Sequence, residues 1–125
     1  MNRFLDTFFN WTVMAQYLPA IIEGFFLTVA LAILVVAAGL SAGLVLALIR
    51  SLRIKLINFF IVVFVDVMRA VPPLVIIIVL YFALPTIGIK LTGFVSTWLA
   101  LAAVLAAFAE EIFWAGILAV PKGQW

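Results

Sequence analysis

Apolar residues run through this 125-residue chain in blocks, with most polar residues between them or at their ends. In residues 3–18, Phe4, Phe8, Trp11, Met14 and Leu18 recur every three or four positions, and Arg3, Asp6, Asn10 and Gln16 interrupt them. That is the period of one helical face, and it predicts an amphipathic interfacial segment within 1–23. Trp11 and the nearby phenylalanines suit the headgroup level. Pro19 is expected to end or kink this helix. Phe25 to Ile49 carries no charge and is long enough to cross about 30 Å of hydrocarbon, so a first span is placed at 25–49. Gly39-Leu40-Ser41-Ala42-Gly43 is a G-x-x-x-G, and Ala47 extends it. Small residues four apart admit a second helix closely, which makes Gly39, Gly43 and Ala47 the expected packing face.

The next apolar run, Leu56 to Leu84, contains Asp66, Arg69 and Pro72-Pro73. Pro72 pushes Val71 toward extended geometry, and a proline pair frees carbonyls that another group must satisfy. A helix to about Ala70, a kink and a second helix to Leu84 are expected, together forming a span at 57–84. Pro85 to Gly93 reads as a short external loop. The last span is placed at 94–118, with Ala100, Ala103 and Ala107 on a small face. The pattern predicts an all-α integral membrane fold: an N-terminal amphipathic helix plus about three transmembrane helices, the second kinked at Pro72-Pro73. It forms one membrane domain over 1–125.

Composition agrees. Hydrophobic residues are 70% of the chain and charged residues 10%, against about 45–50% and about 25% in soluble domains. A net charge of +2 is too small to suggest nucleic acid. The chain has no Cys and no His, which removes thiolate chemistry, Cys/His metal sites and His acid–base catalysis. No G-x-x-x-x-G-K-[ST] is present, so no P-loop binds ATP here. No catalytic group is assigned. The polar residues scattered through the first 23 positions argue against a cleavable signal peptide. Arg50, Arg53 and Lys55 crowd one short loop, which reads as cytoplasmic. That orientation puts the N-terminus outside and the C-terminus inside.

Four charges lie within apolar runs: Asp66, Arg69, Glu110 and Glu111. Each costs at least about 2.5–3.5 kcal/mol near the bilayer centre, so they are candidates for pairing and for lining or gating a solute path. Asp66 and Arg69, three apart, share a helix face. Glu110 and Glu111 point about 100° apart and are expected to face different partners. Counting along straight antiparallel helices from the external loop, Arg69 lies roughly 22 Å in and Glu111 roughly 25 Å in. Arg69 is therefore expected to pair with Glu111 in preference to Glu110, with Asp66 as the local alternative.

The residues also resemble a family. Tyr17-Leu18-Pro19 with Glu23-Gly24 and Thr28, then Ala47-Leu48-Ile49-Arg50, are similar to the start and exit of the first span in the permease subunits of bacterial ABC importers for polar amino acids. These are the histidine/glutamate/glutamine/arginine/opine permeases. Asp66-Val67-Met68-Arg69-Ala70-Val71-Pro72-Pro73-Leu74 resembles their acidic-x-x-Arg-Gly-Thr-Pro-x-Leu stretch. Tyr81-Phe82-Ala83-Leu84-Pro85 with Gly88-Ile89 resembles Tyr-Phe-Gly-Leu-Pro…Gly-Ile. Phe108-Ala109-Glu110-Glu111-Ile112 through Gly116-Ile117 to Val120-Pro121-Lys122-Gly123-Gln124 resembles the approach to the coupling loop. Ala70-Val71 departs from Gly-Thr, Phe108 from Tyr, and Trp114 from Arg. The family motif places its glutamate at Glu111.

The resemblance covers the N-terminal portion of such a permease, so the membrane domain is expected to be incomplete. Residues 119–125, with Pro121, Lys122, Gly123 and Gln124, would begin the cytoplasmic coupling loop. It implies a translocation-pathway subunit of an ATP-driven importer in a bacterial inner membrane, with no cofactor of its own and ATP bound by a partner. The implied partners are a second permease subunit, cytoplasmic ATPases and an external solute-binding protein. Two other readings stay open: a small self-sufficient multi-helix exporter, and a non-transporting membrane scaffold.

Overall fold

A computed structural model describes residue 4 and residues 8–121. These residues form four α-helices: α1, Trp11–Ser51; α2, Lys55–Ala70; α3, Pro73–Ile78; and α4, Gly93–Ala119. No strand occurs among the described residues. The chain divides into two compact units, Met1–Ala32 and Ile33–Trp125.

In the first unit, α1 starts where Asn10 caps it: Asn10 Oδ1 accepts from the Val13 amide at 3.2 Å. Of the two outcomes expected at Pro19, an end or a kink, the end does not occur, because the helix runs through that residue. Proline deletes one backbone bond, whereas ending the helix would free several backbone groups, each costing several kcal/mol in lipid. The interfacial segment and the first span are thus one helix from Trp11 onward. Its 41 residues are about twice the roughly 20 that a spanning helix needs. The first part of the predicted amphipathic segment, residues 1–3 and 5–7, lies outside the described residues.

The second unit is built on close helix contact. Gly39, Gly43 and Ala47 are buried. A Cβ on Gly43 would stand 2.6 Å from Ala109 Cβ and 2.8 Å from the Ala106 carbonyl oxygen, and one on Gly39 would stand 2.8 Å from Leu105 side-chain atoms. Only glycine lets α1 lie this near the backbone of α4. Beside this contact, Ile61 and Val65 of α2 pack with Ala107 of α4, ringed by Leu46, Ile49, Phe64 and Met68. Between α1 and α2, Arg53 turns the chain with φ of 57°, left-handed geometry that a side chain seldom takes.

The predicted break is sharper than a kink. Val71 (ψ 129°) and Pro72 (ψ 134°) are both extended, and two extended residues in succession swing the axis by 104°. After α3 the chain winds through a π-helical turn, Val79–Ala83, and a 3-10 turn, Leu84–Ile87. The expected second helix to Leu84 is therefore composite. Gly88 closes it at φ 88°, its amide donating to Pro85 O and that of Ile89 to Leu84 O. Thr92 then caps α4, its hydroxyl accepting from the Val95 amide at 3.3 Å. Helices α1 and α4 are each long and apolar enough to cross a membrane, and the bent α2–α3 pair together makes a third candidate.

Candidate functional site

The stripe Gly39–Gly43–Ala47 ends, one turn further on, at Arg50. Because α1 is pressed against α4 along this stripe, the Arg50 side chain is delivered to the acidic pair on α4. Arg50 Nη1 donates to Glu110 Oε1 at 3.0 Å, Glu110 Oε2 at 3.1 Å and Glu111 Oε1 at 3.2 Å. The Arg50 guanidinium also lies over the Trp114 ring, 4.8 Å from its centroid. Glu110 is fully buried, and the Arg50 side chain is 16% exposed.

Arg69, at the end of α2, reaches the same helix. Its Nη1 is 3.6 Å from Glu111 Oε2, both side chains being 40% exposed. Its guanidinium lies 5.5 Å from the Phe108 ring centroid. Helix α4 thus presents two acid–aromatic pairs. Glu110 and Trp114, four apart, hold Arg50. Phe108 and Glu111, three apart, hold Arg69. These spacings place each pair on one helix face. Two cations meet two carboxylates, and the cluster is formally neutral.

Four expectations change. Arg50 was placed outside the first span in the basic loop, but it belongs to the last turn of α1 and is the main partner of both glutamates. The signal was present, since Arg50 continues the three-to-four-residue period of Gly39, Gly43 and Ala47. Glu110 and Glu111 do not face separate partners. Their Cα directions diverge, but a long guanidinium lying between flexible carboxylates reaches both. Asp66 does not join the cluster: it is exposed, and no ion pair of Asp66 occurs among the described residues. Arg69 is drawn across to Phe108 and Glu111 instead of back along its own helix. The depth count from a straight second helix also fails, because of the 104° turn, even though Arg69 and Glu111 meet.

Asn58 was not singled out from the sequence. Its Nδ2 donates to the Arg50 carbonyl at 3.1 Å, tying the start of α2 to the end of α1. Among the described residues no three acidic, His or Cys side chains gather as a metal-ligand set. Pro121 is exposed just past α4, while Lys122, Gly123 and Gln124 lie outside the described residues.

Long apolar helices that carry a matched set of charges define an integral membrane protein. Over 97% of its length the chain is 32% identical to the L-cystine transport system permease protein TcyB of Bacillus subtilis, and covers 52% of that protein. It is 33% identical to a putative glutamine transport system permease protein GlnP of Rickettsia bellii, over 83% of this chain and 48% of the relative. The fold matches a crystal structure of an amino acid ABC transporter with histidines, with a TM-score of 0.82 and 34% identity, over 91% of this chain and 53% of that one. No family model matches. The chain is similar over nearly its whole length to amino-acid ABC transporter permeases, and it spans about half the length of the curated relatives it matches.

Proposed function

We propose that this chain forms part of the translocation pathway of an ATP-driven importer of polar amino acids, seated in a bacterial cytoplasmic membrane. The observation that carries this reading is the likeness to amino-acid permeases across nearly the whole chain. ATP is bound by a separate cytoplasmic subunit. A second permease subunit and an external solute-binding protein complete the transporter. The N-terminus faces outward, and Arg53 and Lys55 face the cytoplasm.

The charge strip suits such a role by dividing its labour. Glu110 is buried, Arg50 is largely covered, and their bonds are short, so they fix α1 to α4. Arg69 and Glu111 are half-exposed and held at a longer distance, so they are the pair that a passing zwitterion or a moving helix can exchange. A polar solute needs such partners because hydrocarbon offers none.

The test is uptake by native cells in which the chromosomal gene is deleted. Loss of ATP-dependent uptake of radiolabelled L-cystine, L-glutamine or another polar amino acid is expected, with recovery when the gene is restored. Uptake of every polar amino acid at wild-type rates in the deletion strain would overturn the reading. Cysteine accessibility at position 55, in this Cys-free chain, tests the orientation. Labelling of Lys55→Cys from outside intact cells would reverse it.

A further inference from the structure

The turn between α1 and α2 carries the two cations nearest the Arg50 cluster that take no part in it. Arg53 and Lys55 are exposed, and no ion pair of either occurs among the described residues. The sequence supplies no local counter-charge, since no Asp or Glu lies between Glu23 and Asp66. Both other arginines among the described residues are matched with carboxylates, so this turn holds uncompensated positive charge.

The cations alternate with aliphatics in Leu52-Arg53-Ile54-Lys55-Leu56, and the three aliphatics are 65%, 47% and 68% exposed. Water would leave three large apolar side chains unburied, and hydrocarbon would strand two cations. A boundary between the two satisfies both sets, the stems and aliphatics dipping inward and the charged heads remaining at the phosphate level. Arg53 occupies the left-handed region, at φ 57°. Glycine would hold that turn without strain, so the strained arginine marks a place where a side chain has a use.

We propose that the α1–α2 turn binds the phosphate of an anionic phospholipid headgroup through Arg53 and Lys55, with Leu52, Ile54 and Leu56 seated among the acyl chains. The guanidinium of Arg53 offers paired N–H donors to two phosphate oxygens, and the Lys55 ammonium adds a point charge. A free phosphate makes the same polar contacts but leaves the aliphatics uncovered, so the lipid is the preferred source.

The test uses the full chain carrying Ser51→Cys, labelled with a fluorophore and reconstituted in phosphatidylcholine vesicles containing phosphatidylglycerol. Quenching by brominated phosphatidylglycerol is compared with quenching by brominated phosphatidylcholine. The label is expected to report enrichment of the anionic lipid. Arg53→Gly and Lys55→Gln should each lower that enrichment about five-fold, equivalent to about 1 kcal/mol per cation at an anionic surface. Arg53→Gly removes the charge while relieving the turn, so it separates lipid binding from folding. Arg53→Lys should retain most of the preference, and added inorganic phosphate should not displace the lipid. Equal quenching by the two lipids in the unsubstituted turn overturns the proposal and leaves an acidic face of a cytosolic protein as the occupant. Undiminished preference in both charge-removing variants overturns it as well. Displacement by millimolar phosphate would assign the site to the free anion.

Discussion

Arg50 Nη1 sits 3.0 Å from Glu110 Oε1, and Glu110 has no exposed surface. A carboxylate so enclosed depends on its cation. Removing one partner of a buried pair strands the other, at about 3–5 kcal/mol, whereas replacing both with apolar groups of similar volume is often neutral. Arg50→Ala and Glu110→Ala should each therefore lower the thermal stability of the purified chain strongly. Arg50→Met combined with Glu110→Leu should recover much of the loss. A double variant whose destabilisation equals the sum of the two singles would show that the residues do not act as a pair.

The glycines of the second unit should rank by what a methyl group would meet. At Gly43 it would strike Ala109 Cβ and the Ala106 backbone, which cannot swing aside. At Gly39 it would meet Leu105 Cβ, Cγ and Cδ2 at 2.8 Å, of which Cγ and Cδ2 can turn away, and no backbone atom is among these nearest contacts. Overpacking a tight contact typically costs about 1–3 kcal/mol, so Gly43→Ala should be the more damaging and Gly39→Ala the milder. Gly116 has open space around it, and Gly116→Ala should gain up to about 1 kcal/mol from helix propensity. Melting temperatures in one detergent provide the comparison, and equal losses at Gly43 and Gly116 would contradict the close α1–α4 contact.

Pro72→Ala with Pro73→Ala should let α2 and α3 approach one continuous helix. The steric restriction on Val71 disappears, and the amides at positions 72 and 73 become donors. Spin labels at Phe60→Cys and Phe82→Cys would then separate toward the roughly 33 Å of a straight helix. A distance distribution unchanged by the double substitution would mean that contacts with α4, and not the prolines, hold the 104° turn.

Charge exchange tests the half-exposed pair in the transporting protein. Arg69→Glu and Glu111→Arg should each abolish uptake by native cells, and the double swap should restore part of it. Recovery should be incomplete, because Glu111 also contacts Arg50 at 3.2 Å, and arginine there would face a like charge. Single variants with normal uptake would remove Arg69 and Glu111 from both the pathway and its gating.

Much of this molecule was legible along the chain. The lengths of the apolar runs required helices in lipid. Gly39, Gly43 and Ala47 marked a close-packing stripe, Pro72-Pro73 marked the break, and the intramembrane charges declared a need for partners. These are local properties, set by helical period, backbone sterics and the cost of a charge in hydrocarbon. The tertiary structure decided which partners meet. Arg50 read as a loop cation until the glycine contact carried it to Glu110. One guanidinium spanned two adjacent glutamates, and the neutral strip left Asp66 outside. Pro19 showed the same limit from the other side, because its neighbours kept the helix whole. Such choices depend on how closely two helix axes approach, how far a side chain reaches, and how sharply two extended residues turn the chain, and none of these distances is written in the order of the residues.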